Sequence, residues 1–202
     1  MRCLQILSLF LTSAIPVFSQ ETPAAKLATA LERLNAGGAI EVRATVSYEK
    51  TLRVQGILAG KDFDLAYKAE DGSITRQIAL GDHAWLSYDG GKKWKAIEPD
   101  DRFIYNVVHS PIRVADVDTL PAYEELGTEQ RNGEIWLHIR YKTPEKLEAA
   151  PQYWLALDSA GQPISVRRFV GGVAIGDTVF HCEADYTPAK AETAIKPPSR
   201  SR

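Results

Sequence analysis

Cysteine is scarce in this chain, and the scarcity excludes a fold built on disulfide bonds. The 202 residues contain two cysteines, Cys3 and Cys182. Cys3 lies in an apolar leader that we predict to be removed, so Cys182 is left alone and an internal disulfide cannot form. A lone thiol in an exported protein is most often a small buried hydrophobe, and we predict that role for Cys182.

Long apolar runs are missing as well. The longest run, Cys3 to Phe18, follows the positive charge of Arg2 and is shorter than the roughly 20 residues that a membrane-spanning helix needs. That length is typical of a secretory signal peptide, and Val17 and Ser19 fit the small-residue positions before a cleavage site. We therefore predict a signal peptide over 1–19 and export to the periplasm, with a retained membrane anchor as the alternative.

Positive charge is not in excess. Lys and Arg number 24 against 26 Asp and Glu, a net charge of −2. Removal of Arg2 with the leader leaves 23 basic residues and a net charge of −3. Nucleic-acid binding requires Lys and Arg clustered on one face, so we exclude nucleic acid as a partner.

Known catalytic and metal-binding motifs are also lacking. The sequence has no His-Glu-x-x-His, Gly-x-Ser-x-Gly or Cys-x-x-Cys spacing and no phosphate-binding glycine loop. His181 and Cys182 are neighbours on a predicted strand and point to opposite faces, so they cannot act as base and nucleophile. A metal site formed by His83, His138 and a carboxylate is the alternative left open. We expect no enzyme, no resident metal and no cofactor.

The hydrophobic period changes early in the mature chain. From Pro23 to Asn35 apolar residues recur every three or four positions, which predicts an amphipathic helix ended by Gly37-Gly38. Thereafter the period is two, with turn residues such as Asp71-Gly72 between segments, which predicts an antiparallel meander in one domain over 20–186. The predicted strands are 40–48, 52–58, 63–67, 74–80, 83–88, 94–97, 123–129, 135–141, 153–157, 164–169 and 178–186.

Two regions break the alternation. Asp100-Asp101 can cap a short helix, and no period survives from 110 to 121. We predict that 100–121 forms a movable cover over the sheet, while the Pro- and Lys-rich tail 187–202 is disordered. The apolar face of the short helix is formed by Phe103, Ile104, Val107 and Val108.

Alternation also predicts which strand face forms the core. The opposite face carries Trp85, Trp136 and Trp154. Three interpretations of these tryptophans stay open: the N-terminal helix covers them, they form an exposed contact patch, or they border a cavity between sheet and helices. The predicted core face comprises Val42, Val54, Leu65, Ile78, Leu86, Leu137, Ile139, Leu155 and Val166.

Several short motifs resemble the LolA/LolB-like superfamily of exported lipoprotein carriers and lipid-binding domains. The stretch Gly81-Asp82-His83-Ala84-Trp85-Leu86-Ser87-Tyr88 is similar to the family's turn and Trp-x-Tyr-like strand. Asp89-Gly90-Gly91-Lys92-Lys93-Trp94 continues it in the style of outer-membrane lipoprotein-sorting proteins. Tyr153 to Asp158, followed by Gly161 to Ile164, looks like the family's strand, turn and return strand. The order of signal peptide, helix, meander, helical interruption and further strands also matches.

The resemblance implies a mostly β fold with a few helices. Its centre would be a strongly curved antiparallel sheet, an open half-barrel, whose concave side is covered by the N-terminal helix and the mid-chain helical segment. It further implies a monomeric, non-enzymatic transport or binding domain for a lipid, acyl chain or lipoprotein anchor. The residues expected to line the cavity are Leu65, Leu86, Phe103, Ile104, Val107, Leu137 and Leu155.

One position departs from the family's pattern. Carriers of the family have an arginine that latches the cavity at the start of the third strand, where this chain has Lys61. A lysine cannot make the same planar, forked contacts, so the sequence favours generic apolar-ligand binding over a lipoprotein shuttle. The alternative function is an envelope protein-interaction or sensor module whose cavity is filled by its own side chains.

Overall fold

The N-terminal helix forms where the period predicts it. The computed structural model describes residues 22–98, 108, 123–141, 151–159, 161, 163–175, 178–190 and 194–198. Helix α1 (Pro23–Ala36) begins at Thr22, whose hydroxyl accepts a 3.2 Å hydrogen bond from the Ala25 N–H and satisfies a backbone donor of the first turn. Pro23 occupies the first turn, where a missing N–H costs nothing. Except for Val108, the predicted mid-chain helix lies outside the described residues.

The strands form one antiparallel sheet that is not closed. Its order is β6-β5-β4-β3-β2-β1-β11-β10-β9-β8-β7, so two meanders meet where β1 pairs with β11. The predicted mostly β architecture is thereby confirmed. The bounds are β1 (Ile40–Ser47), β2 (Thr51–Ala59), β3 (Asp62–Ala69), β4 (Ile74–Leu80), β5 (His83–Ser87), β6 (Lys95–Ile97), β7 (Tyr123–Arg131), β8 (Glu134–Tyr141), β9 (Gln152–Leu157), β10 (Pro163–Ile175) and β11 (Thr178–Pro188).

Two strands run further than the alternation predicts. β10 continues past Phe169 to Ile175, with a register shift between Val170 and Val173. Gly171 marks the shift, because a Cβ there would lie 2.4 Å from the Phe169 ring. β11 continues two residues into the predicted tail, where Thr187 and Pro188 pair with β1. A glycine pair and a proline resemble strand ends in a sequence, and here the pairing extends through them.

Strand register assigns each residue to one of two faces, because directly paired residues lie on the same side of a sheet. Val42, Val54, Leu65, Leu155 and their cross-strand partners share the face on which α1 packs, against β7, β10 and β11. We call it the helix-covered face. Its core cluster joins the sheet to the buried helix residues Leu27, Ala30, Leu31 and Leu34.

The opposite face carries Trp85, Trp136 and Trp154, and we call it the tryptophan face. Helix α1 therefore does not cover the tryptophans, which removes one of the three interpretations. Ile78 was predicted on the core face but pairs with Trp85 on the tryptophan face, where it is nonetheless buried. On β4 the helix-covered position opposite Leu65 is Gln77, so hydrophobicity alone selects the wrong face of this strand.

A close approach of backbones fixes the β2–β3 pair. A Cβ on Gly56 would lie 1.9 Å from the Asp64 carbonyl oxygen, so only glycine fits at that position.

Within the part of the chain that the structure describes, no helix has the length and apolar character needed to cross a bilayer.

Candidate functional site

Three of the predicted lining residues lie on the helix-covered face. Leu137 and Leu155 are direct partners on β8 and β9 and are 4% and 0% exposed, and Leu65 on β3 is also 0% exposed. All three belong to one core cluster. Leu86 shares the face through its partner Gln77 but is only half-buried. Phe103, Ile104 and Val107 lie outside the described residues, so their place at the site stays a prediction.

Val108 ties the mid-chain segment to this face. The residue is fully buried, and its carbonyl oxygen accepts a short hydrogen bond from the Tyr186 hydroxyl on β11. Burial raises the pKa of Tyr186 well above its ordinary value, so the phenol stays protonated and acts as the donor. The sequence gives no sign of this contact because it joins residues 78 positions apart.

Polar groups interrupt the apolar face at several places. In the β3–β4 region the buried Tyr67 hydroxyl donates to the side-chain oxygen of Gln77 at 3.1 Å. Burial, with a smaller contribution from the charge of Asp64, raises the pKa of Tyr67. On β10 the half-buried Arg168 lies on the helix-covered face, since it pairs with Ala184 and Tyr153. Arg168 is not among the residues predicted for the site, although its two-residue spacing from Val166 indicates the same face.

Cys182 is structural, as predicted. Its thiol is free and buried on the helix-covered face, while the neighbouring His181 points to the other side. Burial is the largest influence on Cys182 and raises the pKa of the thiol. A thiol that is slow to ionise is a poor nucleophile, and His181 lies on the opposite face, where it cannot act as the base for Cys182.

On the tryptophan face, aromatic rings are packed under cationic side chains. The Arg167 guanidinium lies 5.5 Å from the Trp136 ring centre, and Arg131 lies 5.6 Å from that of Trp154. The His138 ring stacks on Trp154 with centres 4.3 Å apart. All three tryptophans of this face are half-buried. Side chains of the protein itself therefore cover part of Trp136 and Trp154.

The two histidines considered for a metal site are far apart in the sheet. His83 lies on β5 and His138 on β8, each one strand in from opposite edges. His138 instead contacts Gln152 through its Nε2, 2.9 Å from the amide oxygen. No group of three or more His, Cys, Asp or Glu side chains suited to a metal occurs among the described residues.

A surface cavity of about 450 Å³ opens on the tryptophan face, over β1 to β4. Its walls include the Arg76–Asp64 ion pair, with Nε to Oδ1 at 2.8 Å. It lies on the opposite side of the sheet from Leu65, Leu86, Leu137 and Leu155. The cavity is lined by Glu41, Arg43, Gln55, Gly56, Ile57, Asp64, Ala66, Ile74, Arg76 and Gly90.

Comparison with solved structures identifies proteins of similar fold. LprF from Mycobacterium bovis superposes with a TM-score of 0.50 at 12% identity, covering 87% of this chain and 96% of that one. Lipoprotein LppX from Mycobacterium tuberculosis gives 0.48 at 14% identity, with 87% and 100% covered. A LolA superfamily protein from Nitrosomonas europaea gives 0.32 at 9% identity, with 79% and 94% covered.

No model of a known protein family matches the chain, and no curated protein matches its sequence. The relation is one of fold. The chain shares the fold of LprF.

Proposed function

We propose that the protein is an exported, monomeric, non-enzymatic domain that binds an apolar ligand between α1 and the helix-covered face. The ligand class is a lipid, an acyl chain or the acyl anchor of a lipoprotein. In this proposal residues 1–19 are a signal peptide for the periplasm, and the domain of residues 20–186 curves around the ligand as an open half-barrel.

The observation that carries the proposal is the extensive apolar surface of that face. Apolar residues of β1–β3, β8–β11 and α1 form one cluster that includes Leu65, Leu137 and Leu155. Such a surface suits an acyl chain, because each buried methylene contributes about 0.8 kcal/mol without needing a directional partner. The buried leucines of α1 belong to the same cluster and would contact an acyl chain in the same way.

The test compares adjacent residues on opposite faces of β8. Leu137→Ala should weaken binding of a fluorescent fatty acid, and the matched variant Trp136→Ala should leave it unchanged. Native mass spectrometry of the protein purified gently from its source envelope should show a copurifying lipid. Absence of both copurifying lipid and fatty-acid binding would remove the proposal's main support, provided circular dichroism shows the protein to be folded.

A second candidate is supported by the burial itself. Leu65, Leu137 and Leu155 are already almost inaccessible to solvent, which is what an interior filled by the protein's own side chains requires. In that case the domain is an envelope interaction or sensor module. Crosslinking in the source cell separates the two functions: capture of one defined protein, lost in Trp136→Ala and Trp154→Ala but kept in Leu137→Ala, identifies the module. Capture that depends on Leu137 rules against it.

A further inference from the structure

A row of four cross-strand neighbours accounts for the surface cavity on the tryptophan face. The row runs through β1, β2, β3 and β4 and consists of Arg43, Gln55, Ala66 and Arg76. Its ends are about 14 Å apart, since neighbouring strands lie about 4.8 Å from each other. The methyl group of Ala66 lies between longer side chains, and the space above it forms the cavity of about 450 Å³. That volume falls within the range of about 300–1,000 Å³ that is typical of small-molecule sites.

Ion pairs hold the polar groups at both ends of the row. Asp64 accepts bonds of 2.8 and 2.5 Å from Nε and Nη2 of Arg76, and that guanidinium lies 5.8 Å from the Trp94 ring centre. Nε and Nη2 of Arg43 donate to one carboxylate oxygen of Glu41 at 3.3 and 2.9 Å. Each carboxylate has about four acceptor sites, and the Nη1 of each guanidinium has two further N–H groups. The pairs therefore orient these side chains and leave them capacity for a ligand.

The composition of the walls indicates a ligand without net charge. Two arginines and two carboxylates line the cavity, so their charges cancel and give no net attraction for an anion or a cation. The exposed amide of Gln55 both donates and accepts hydrogen bonds. Ile57 and Ile74 add apolar surface, and Ile74 is 42% exposed.

The position of the cavity disfavours a peptide. Strands β2 and β3 at its floor are each paired on both sides, so their backbone groups are used within the sheet. A peptide that binds by strand addition needs an exposed sheet edge. A ligand in the cavity is therefore recognised by side chains, and the ligand needs groups that both donate and accept hydrogen bonds.

We propose that this cavity binds a neutral carbohydrate whose hydroxyl groups are held by Gln55, Asp64 and Arg76. A hydroxyl donates and accepts, so it can bond the amide, the carboxylate and the guanidinium, while the C–H face of a sugar ring packs on Ile57. The inference does not depend on the proposed function, because the cavity and the predicted leucines lie on opposite sides of the sheet.

The test uses neutral disaccharides as probes. Saturation-transfer difference NMR of the purified protein with maltose, lactose and N,N′-diacetylchitobiose should detect binding of at least one, with a dissociation constant of about 1 mM because the site is open. Alanyl-alanine and inorganic phosphate should neither bind nor compete. Absence of signal from all three sugars at about 10 mM would overturn the inference, and tighter binding of the dipeptide or of phosphate would overturn the ligand class. Neither result alters fatty-acid binding on the helix-covered face, which tests the proposed function separately.

Two variants locate the sugar. Ala66→Leu fills the floor of the cavity, keeps every polar group and should weaken binding at least about tenfold, whereas Ala96→Leu, at an exposed position of β6 on the same face, should leave it unchanged. Gln55→Ala should weaken binding about fivefold through the lost hydrogen bonds. Binding that survives both Ala66→Leu and Gln55→Ala would place the sugar elsewhere and overturn the inference. Amide chemical shifts of the wild type decide the same question without a variant: sugar should perturb Gln55 and Ala66 and not Leu137.

Discussion

The two faces of the sheet are built from different interactions. On the helix-covered face, side chains such as Leu65, Val42 and Leu155 are buried against α1 and against each other. On the tryptophan face, Arg167, Arg131 and other cations lie over aromatic rings or form ion pairs across strands. The first face is apolar and buried, and the second is partly exposed to solvent.

This difference predicts which face contributes more to the stability of the fold. Apolar burial contributes about 25 cal/mol for each Å² removed from water, whereas partly exposed ion pairs contribute about 0–1 kcal/mol each. Stability should therefore depend mainly on the helix-covered face. The cationic and aromatic pairs of the tryptophan face add cross-strand contacts.

The largest expected effect comes from emptying a position on the helix-covered face. Leu155→Ala should lower the free energy of unfolding by about 2–5 kcal/mol, because it removes buried methylenes and leaves a cavity. The matched change on the other face is Ile57→Ala, which removes a half-buried side chain beside the surface cavity and should cost roughly 1 kcal/mol. Urea denaturation with an unchanged m value provides the measurement. Equal losses would contradict the assignment of the core to one face.

Most of the fold can be predicted from hydrophobic period and turn chemistry, and the exceptions have identifiable causes. The helix and each of the strands occur where the pattern places them, because a one-sided core imposes alternation on the sequence. β4 is the exception: its apolar residues Ile74 and Ile78 face away from the helix, and Gln77 faces it. The orientation of β4 is decided by its pairing with neighbouring strands, and the order of apolar and polar residues within β4 does not reveal it.

Less of the site than of the fold could be predicted from the sequence. Leu137 and Leu155 could be predicted because they share the alternation of the core. The Tyr186–Val108 hydrogen bond joins distant parts of the chain, and Arg168 appears in the sequence only as one of two adjacent arginines. Which of the two faces the helix depends on register, and register depends on the whole sheet.

An intermediate effect is expected from the buried phenol of Tyr186. Tyr186→Phe removes the donor to the Val108 carbonyl and should cost about 1–2 kcal/mol, since a buried acceptor loses its partner. Tyr88→Phe is the control, because Tyr88 is 74% exposed. A loss no larger than in Tyr88→Phe would show that the hydrogen bond contributes nothing.

The same residue predicts a dependence on alkaline pH. The pKa of Tyr186 is raised in the folded protein by burial, so folding favours the protonated phenol. Its contribution is fully present below the unfolded pKa of about 10 and is lost as pH rises above that value. Denaturation midpoints measured between about pH 8 and 11 should fall less steeply in Tyr186→Phe than in the wild type. Parallel curves would exclude this linkage.

The smallest effect should come from the ion pair on the tryptophan face. Arg76 and Asp64 make a bidentate contact, with Nε–Oδ1 at 2.8 Å and Nη2–Oδ2 at 2.5 Å, but their side chains are 40% and 22% exposed. A double-mutant cycle with Arg76→Gln and Asp64→Asn should give a coupling energy of about 0.5–1 kcal/mol that shrinks as salt is added. The more exposed Arg43–Glu41 pair should give less. A coupling well above that range and insensitive to salt would mean that the tryptophan face is drier than its exposure indicates, and the contrast between the two faces would then not hold.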